Sequence, residues 1–72
     1  MKVFSKELML KRLKEEGRSE EVDEGALKIM DKLDGKPVEK NRFKALVFDV
    51  VEYGVIVDGV FYEVNLADCK DV

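Results

Sequence analysis

From Val55 to Val64 the chain reads Val-Ile-Val, then Asp58-Gly59, then Val-Phe-Tyr-Glu-Val, and this stretch constrains the fold more tightly than any other. Asp-Gly between two apolar runs is a preferred two-residue type I′ turn, because both turn positions need φ > 0 and the resulting twist matches that of the flanking strands. A two-residue turn sets the register, and the register sets the face on which each side chain lies. Val57 then pairs with Val60, Val55 with Tyr62, and Tyr53 with Val64 if the strand extends that far. These six share one face, apolar except for the tyrosine hydroxyls, which the rest of the chain is expected to cover. Ile56 opposes Phe61 on the other face, with Glu63, Asn65 and Glu52 around them.

The first half of the chain supplies the cover. Ser5 is a helix N-cap, with Phe4 and Met9 placed as a hydrophobic staple. Leu8, Met9, Leu10 and Leu13 fall on one face, Lys6, Lys11, Lys14 and Glu15 on the other, and Gly17 is a C′ stop, so a helix is expected over 5–16. A second helix has two candidate starts. Ser19 is one, with Glu20 and Glu21 favoured at the positive helix end. Asp23 is the better one, because Val22 and Leu27 then form the staple and Gly25 falls in the tolerant first turn. Ala26, Ile29, Met30 and Leu33 make a core stripe, and Asp34-Gly35 followed by Pro37 ends it. Residues 1–36 therefore read as a helical hairpin joined by a short acidic loop.

Residues 37–72 read as antiparallel sheet. Val38 is a candidate short strand and Lys40-Asn41-Arg42 a turn. Phe43 to Val51 is rich in Val, Phe and Leu without a breaker, and is expected to be a strand. Glu52-Tyr53-Gly54 reads equally as a turn or as a bend in a long strand. Ala67 to Val72 is either a frayed tail or a last edge strand. The expected fold is a single α+β domain over 1–72, an N-terminal helical hairpin packed on a three- to four-stranded antiparallel β-meander. A small curled β-barrel with two helices is the alternative.

Composition narrows the functional classes. The chain has one Cys and no His, which excludes an internal disulfide framework, every His-dependent catalytic triad and an ordinary structural zinc site. No apolar run reaches the roughly 18 residues a membrane span needs, and Met1-Lys2-Val3-Phe4-Ser5 lacks an apolar signal region, so a cytoplasmic, membrane-free protein is expected. The net charge is −3, and it resides in residues 37–72, where four Lys/Arg face seven Asp/Glu. The basic stretch 2–14 has only Phe4 as an aromatic neighbour, and Glu15 to Glu24 is acidic. This is not the basic, aromatic-interleaved pattern of a nucleic-acid binder. At 72 residues the core stabilises only marginally without a staple, which favours a tight partner or homo-oligomerisation.

Chemistry-bearing motifs are absent. There is no phosphate-binding glycine loop, nucleophile elbow or zinc-protease helix, and Asp31 and Asp34 do not continue into a calcium loop. They read as helix-end residues, and Cys69, with no base to activate it, reads as an apolar filler. Neither an enzyme nor a cofactor or metal site is expected. Ile56 and Phe61 stand out instead, either as a small second core or as an apolar contact patch with a polar rim. Asp49, Glu52, Asp58 and Glu63 would then steer a basic partner surface. In the alternative, subunits of an oligomer hold a small phosphorylated ligand, such as a nucleotide, through Arg42 and Lys44.

Residues Leu27 to Lys36, the glycine-turn hairpin and Tyr62 to Cys69 together resemble small uncharacterised accessory proteins carried by bacteriophages and prophages. The resemblance covers about half of the chain. It implies a compact acidic inhibitor that occludes a host enzyme or defence protein, or a protein that sequesters a nucleotide signal. No residue matches a binding signature of such inhibitors, so the resemblance carries over no site.

Overall fold

A computed structural model describes all residues from 1 to 72. Helix α1 (Lys6–Glu15) begins where the Ser5 hydroxyl accepts the Leu8 N–H at 3.2 Å, and ends ahead of Gly17, whose φ is +69°. Ser19–Glu21 forms one 3-10 turn where an open acidic loop was expected. Asp23 then caps α2 (Glu24–Leu33), its carboxylate accepting the Ala26 N–H at 2.8 Å. The two Asp residues of the helix end have a structural task. Asp34 Oδ1 accepts the Lys6 N–H at 2.9 Å and Asp31 Oδ1 accepts Lys6 Nζ at 2.6 Å, tying the start of α1 to the end of α2.

Two small antiparallel sheets lie against this hairpin. The first joins β1 (Lys2–Phe4) to β5 (Cys69–Asp71), with Phe4 opposite Cys69. The second has the order β2 (Glu39–Lys40), β3 (Tyr53–Val57), β4 (Val60–Glu63). Residues 35–40 connect them. This segment bonds to the free side of β1 through Phe4 N–H to Lys36 O at 3.0 Å and Val38 N–H to Lys2 O at 2.9 Å, then continues as β2. The architecture is α+β and no closed barrel forms.

The Asp58-Gly59 hairpin has the expected register, with Val57 opposite Val60, Val55 opposite Tyr62 and Ile56 opposite Phe61. Both turn residues have positive φ, 51° and 78°, as a type I′ turn requires. Tyr53 and Gly54 belong to β3, so the chain does not turn there.

Three expectations are corrected. The N-terminal half is not wholly helical, because Lys2–Phe4 is a strand that gains partners from residues 35–38 and from the last strand of the chain. Val38 is not itself a strand; it bonds across to Lys2, and regular pairing starts at Glu39. The largest correction is at residues 43–51. Arg42–Phe48 is a helix, α3, not a strand. Asn41 is its N-cap and not part of a turn, accepting the Lys44 N–H at 3.2 Å, and Asp49 closes it in the left-handed conformation at φ 54°. Arg, Lys, Ala and Leu in the run are good helix formers, and the Val and Phe content that suggests a strand does not outweigh a capped turn.

The core consists of Phe4, Leu13, Met30, Leu33, Val55 and Cys69. Val55 is therefore covered as its face predicts, and Val57, Tyr62 and Val64 pack at the core margin. Val60, at the hairpin tip beyond the reach of the helices, is exposed.

Candidate functional site

The geometry of α3 is the unusual feature of the molecule. No other helix or strand packs substantially on it. Phe43 is 66% exposed, Leu46 87%, Val47 53% and Phe48 62%, and the apolar surface continues through exposed Val50 and Val51. At 100° per residue, Arg42, Phe43, Leu46 and Val47 lie on one outward arc, with Leu46 near its middle. Half-buried Lys44 and Ala45 lie on the opposite side. The Phe43 and Phe48 rings meet edge to face at 6.4 Å, so the two largest apolar groups of the segment lean on each other.

Two polar contacts tie the segment to Glu52, which leads into β3, and a third closes its end. Lys44 Nζ donates to Glu52 Oε1 at 2.8 Å, the Asn41 N–H donates to the Glu52 carbonyl at 2.8 Å, and the Val50 N–H to the Lys44 carbonyl at 3.4 Å closes the end. The hydrogen bond to Glu52, followed by the charges of Glu52 and Glu63, raises the Lys44 pKa above the ordinary lysine value. The Lys44 side chain is 44% exposed in this pair and that of Glu52 17%.

Beside α3 lies the outer face of the sheet. Ile56 is 51% exposed and Phe61 is half-buried. The Phe61 ring lies over Gly54, in the space a Cβ there would occupy. Glu39, Lys40, Asn41, Arg42, Ile56 and Phe61 line one open concavity of about 480 Å³. The structure therefore brings Ile56 and Phe61 together and adds Arg42 to them. It does not gather the four acids. Asp49 closes α3, Asp58 occupies the hairpin tip, Glu52 binds Lys44, and Glu63 is exposed at the far end of β4.

Two features of the molecule lie outside the residues singled out from sequence. One is the apolar surface of α3, signalled only by the density of large apolar residues after a cap-type Asn. The other is the pair Arg12–Asp68, which borders a second cavity of about 380 Å³ walled mainly by Met9, Ile29, Met30, Leu33, Tyr62 and Val64. In that cavity Arg12 and Asp68 satisfy each other. Cys69 is buried, its thiol donating to the Asn65 carbonyl at 3.5 Å, and burial together with the neighbouring Asp68 charge pushes its pKa up, away from thiolate chemistry. No three His, Cys, Asp or Glu side chains converge as a metal site would need, and no helix is long and apolar enough to cross a membrane. Comparison with protein-family models, with curated proteins and with solved structures finds no match.

Proposed function

We propose that this chain is a small non-enzymatic protein-binding module, of the kind phages use to occlude a host enzyme or defence protein. One observation carries the reading: α3 presents Phe43, Leu46, Val47 and Phe48 to solvent, and no other helix or strand packs substantially on it. A seven-residue helix is far below the roughly 12–15 residues at which an isolated helix becomes marginally stable in water. Its apolar side chains are those a helix uses to gain stability by packing, so the missing neighbour is supplied by association. Ile56 and Phe61 extend the contact onto the sheet, and exposed Glu39, Lys40 and Arg42 form its polar rim.

Immobilised protein should retain a target from a bacterial host extract, and Leu46→Asp and Ile56→Asp should each lose it with unchanged far-ultraviolet circular dichroism. Retention undiminished in both variants would reject this surface. A wild-type chain that bound neither a target nor itself would reject the module reading.

The Lys40 and Arg42 side of the concavity favours a second reading, an anionic small ligand such as a nucleotide held there. A thermal-shift series with nucleotides, repeated with Arg42→Ala, decides it; no shift in the wild type removes it.

A further inference from the structure

We infer that α3 is a self-association element and that its first occupant is the α3 of a second copy, packed antiparallel about a two-fold axis. The inference rests on the protein-binding reading and names the partner.

The charges of α3 single out this occupant. Arg42 begins the helix and Asp49 closes it, both are exposed, and neither takes part in any of the seven ion pairs of the molecule. Each stands at the wrong end of its own helix. The helix dipole favours anions at the N-terminus and cations at the C-terminus, and α3 has a cation first and an anion last. An antiparallel second helix reverses both mismatches. Arg42 then lies beside the C-terminal end and Asp49 of the partner subunit, and Asp49 lies beside the partner's Arg42. An axis passing between Ala45 and Leu46 relates the two pairs by symmetry, as an isologous contact requires. A parallel pair would set Arg42 against the partner's Arg42.

Lys44 is paired with Glu52, so the unpaired charges along α3 are Arg42, with exposed Lys40 beside it, at one end and Asp49 at the other. A partner of a single sign meets a like charge at one end, whereas an antiparallel second copy sets each end against the opposite sign. From their exposed fractions, Phe43, Leu46 and Val47 on the outward arc offer on the order of 350 Å² to a helix packed there, a small interface. Leu46, the most exposed of them, lies next to the axis and meets its own counterpart.

Sedimentation equilibrium over a wide concentration range tests the inference. The wild type should move from 8.3 kDa toward twice that mass as concentration rises. Leu46→Asp should stay monomeric. Arg42→Asp or Asp49→Lys alone should weaken dimerisation about tenfold or more, since each sets like charges in contact. The double variant R42D/D49K should restore it, because the swapped pair is again complementary. A wild type that remains monomeric at every concentration overturns the inference, and so does a dimer indifferent to Leu46→Asp or a double variant that fails to recover. Monomeric behaviour together with Leu46-dependent retention of a host protein would leave the module reading standing while removing this one.

Discussion

Arg12 in α1 and Asp68 in the 3-10 turn Leu66–Asp68 are 56 residues apart and joined by two parallel hydrogen bonds, Nε to Oδ1 at 2.7 Å and Nη2 to Oδ2 at 2.9 Å. The two ends of this pair are not equivalent. The Asp68 side chain is 2% exposed and the Arg12 side chain 22%, and Arg12 keeps a second partner in Glu16 at 3.0 Å. Removing the arginine strands a desolvated carboxylate, whereas neutralising the aspartate leaves a guanidinium with water and Glu16 within reach. Arg12→Leu should therefore cost about 3 kcal/mol and Asp68→Asn only about 1–2 kcal/mol. Urea denaturation midpoints measure the difference. Equal losses would show that the carboxylate is not the desolvated partner.

Gly54 and Phe61 predict a second asymmetry, between two residues that oppose one another's neighbours on the sheet. A Cβ at position 54 would overlap the Phe61 ring and the Tyr62 carbonyl oxygen. Gly54→Ala should lower stability by about 1–3 kcal/mol, as overpacking does. Phe61→Asp should also destabilise, because it uncovers the Gly54 backbone. Ile56→Asp, at a half-exposed position, should stay within about 0.5 kcal/mol. Thermal melts of the three variants separate a structural Phe61 from a purely surface one. A Phe61→Asp melt equal to the wild type would make it surface.

Because α3 lacks a packed neighbour, its amides should exchange with solvent much faster than those of α1 or α2 in a dilute sample. Protection of residues 44–50 should rise with concentration in the wild type and stay low in Leu46→Asp. Hydrogen-exchange mass spectrometry reads both. Protection at α3 that is high and independent of concentration would mean that the helix is stable without association.

Cys69 sets a pH dependence. Burial, then the Asp68 charge, raises its thiol pKa above the ordinary 9.0, so the native state holds the proton more tightly than the unfolded chain does. That contribution is present in full below the unfolded value and is lost as pH rises through the native one. Stability should fall above about pH 9, and Cys69→Ala should flatten the fall, the remainder belonging to Lys44, whose raised pKa acts in the same direction. Denaturation midpoints from pH 7 to 10.5 test the sign. In the native protein the thiol should also resist alkylation at pH 8 and react only on unfolding.

Local signals were legible where their partners are close in the chain. The Ser5 and Asp23 caps reach N–H groups three residues on, and the Asp58-Gly59 turn closes a ladder that begins at its own flanks. Such contacts depend on backbone geometry over a few residues, so both helices, the hairpin register and the buried face of Val55 follow from the residues alone. Asn41 is the instructive failure. Its Oδ1 caps α3 by the same three-residue reach, but the Val and Phe that follow carry a competing strand preference of similar size.

Other features depend on groups that meet only after the chain has folded. Lys2–Phe4 is too short to announce itself as a strand, and it is one because Cys69–Asp71 and residues 35–38 lie on either side of it. Arg12 and Asp68 look like surface charges until α1 and the C-terminal turn close around them. The apolar residues from Phe43 to Val51 would suit a sheet core equally well, and their exposure follows from where α2 and β3 leave room. Periodicity and capping specify an element and its faces, while burial is set by which distant element comes to rest against each face. For the outward arc of α3 no helix or strand of its own chain does so substantially.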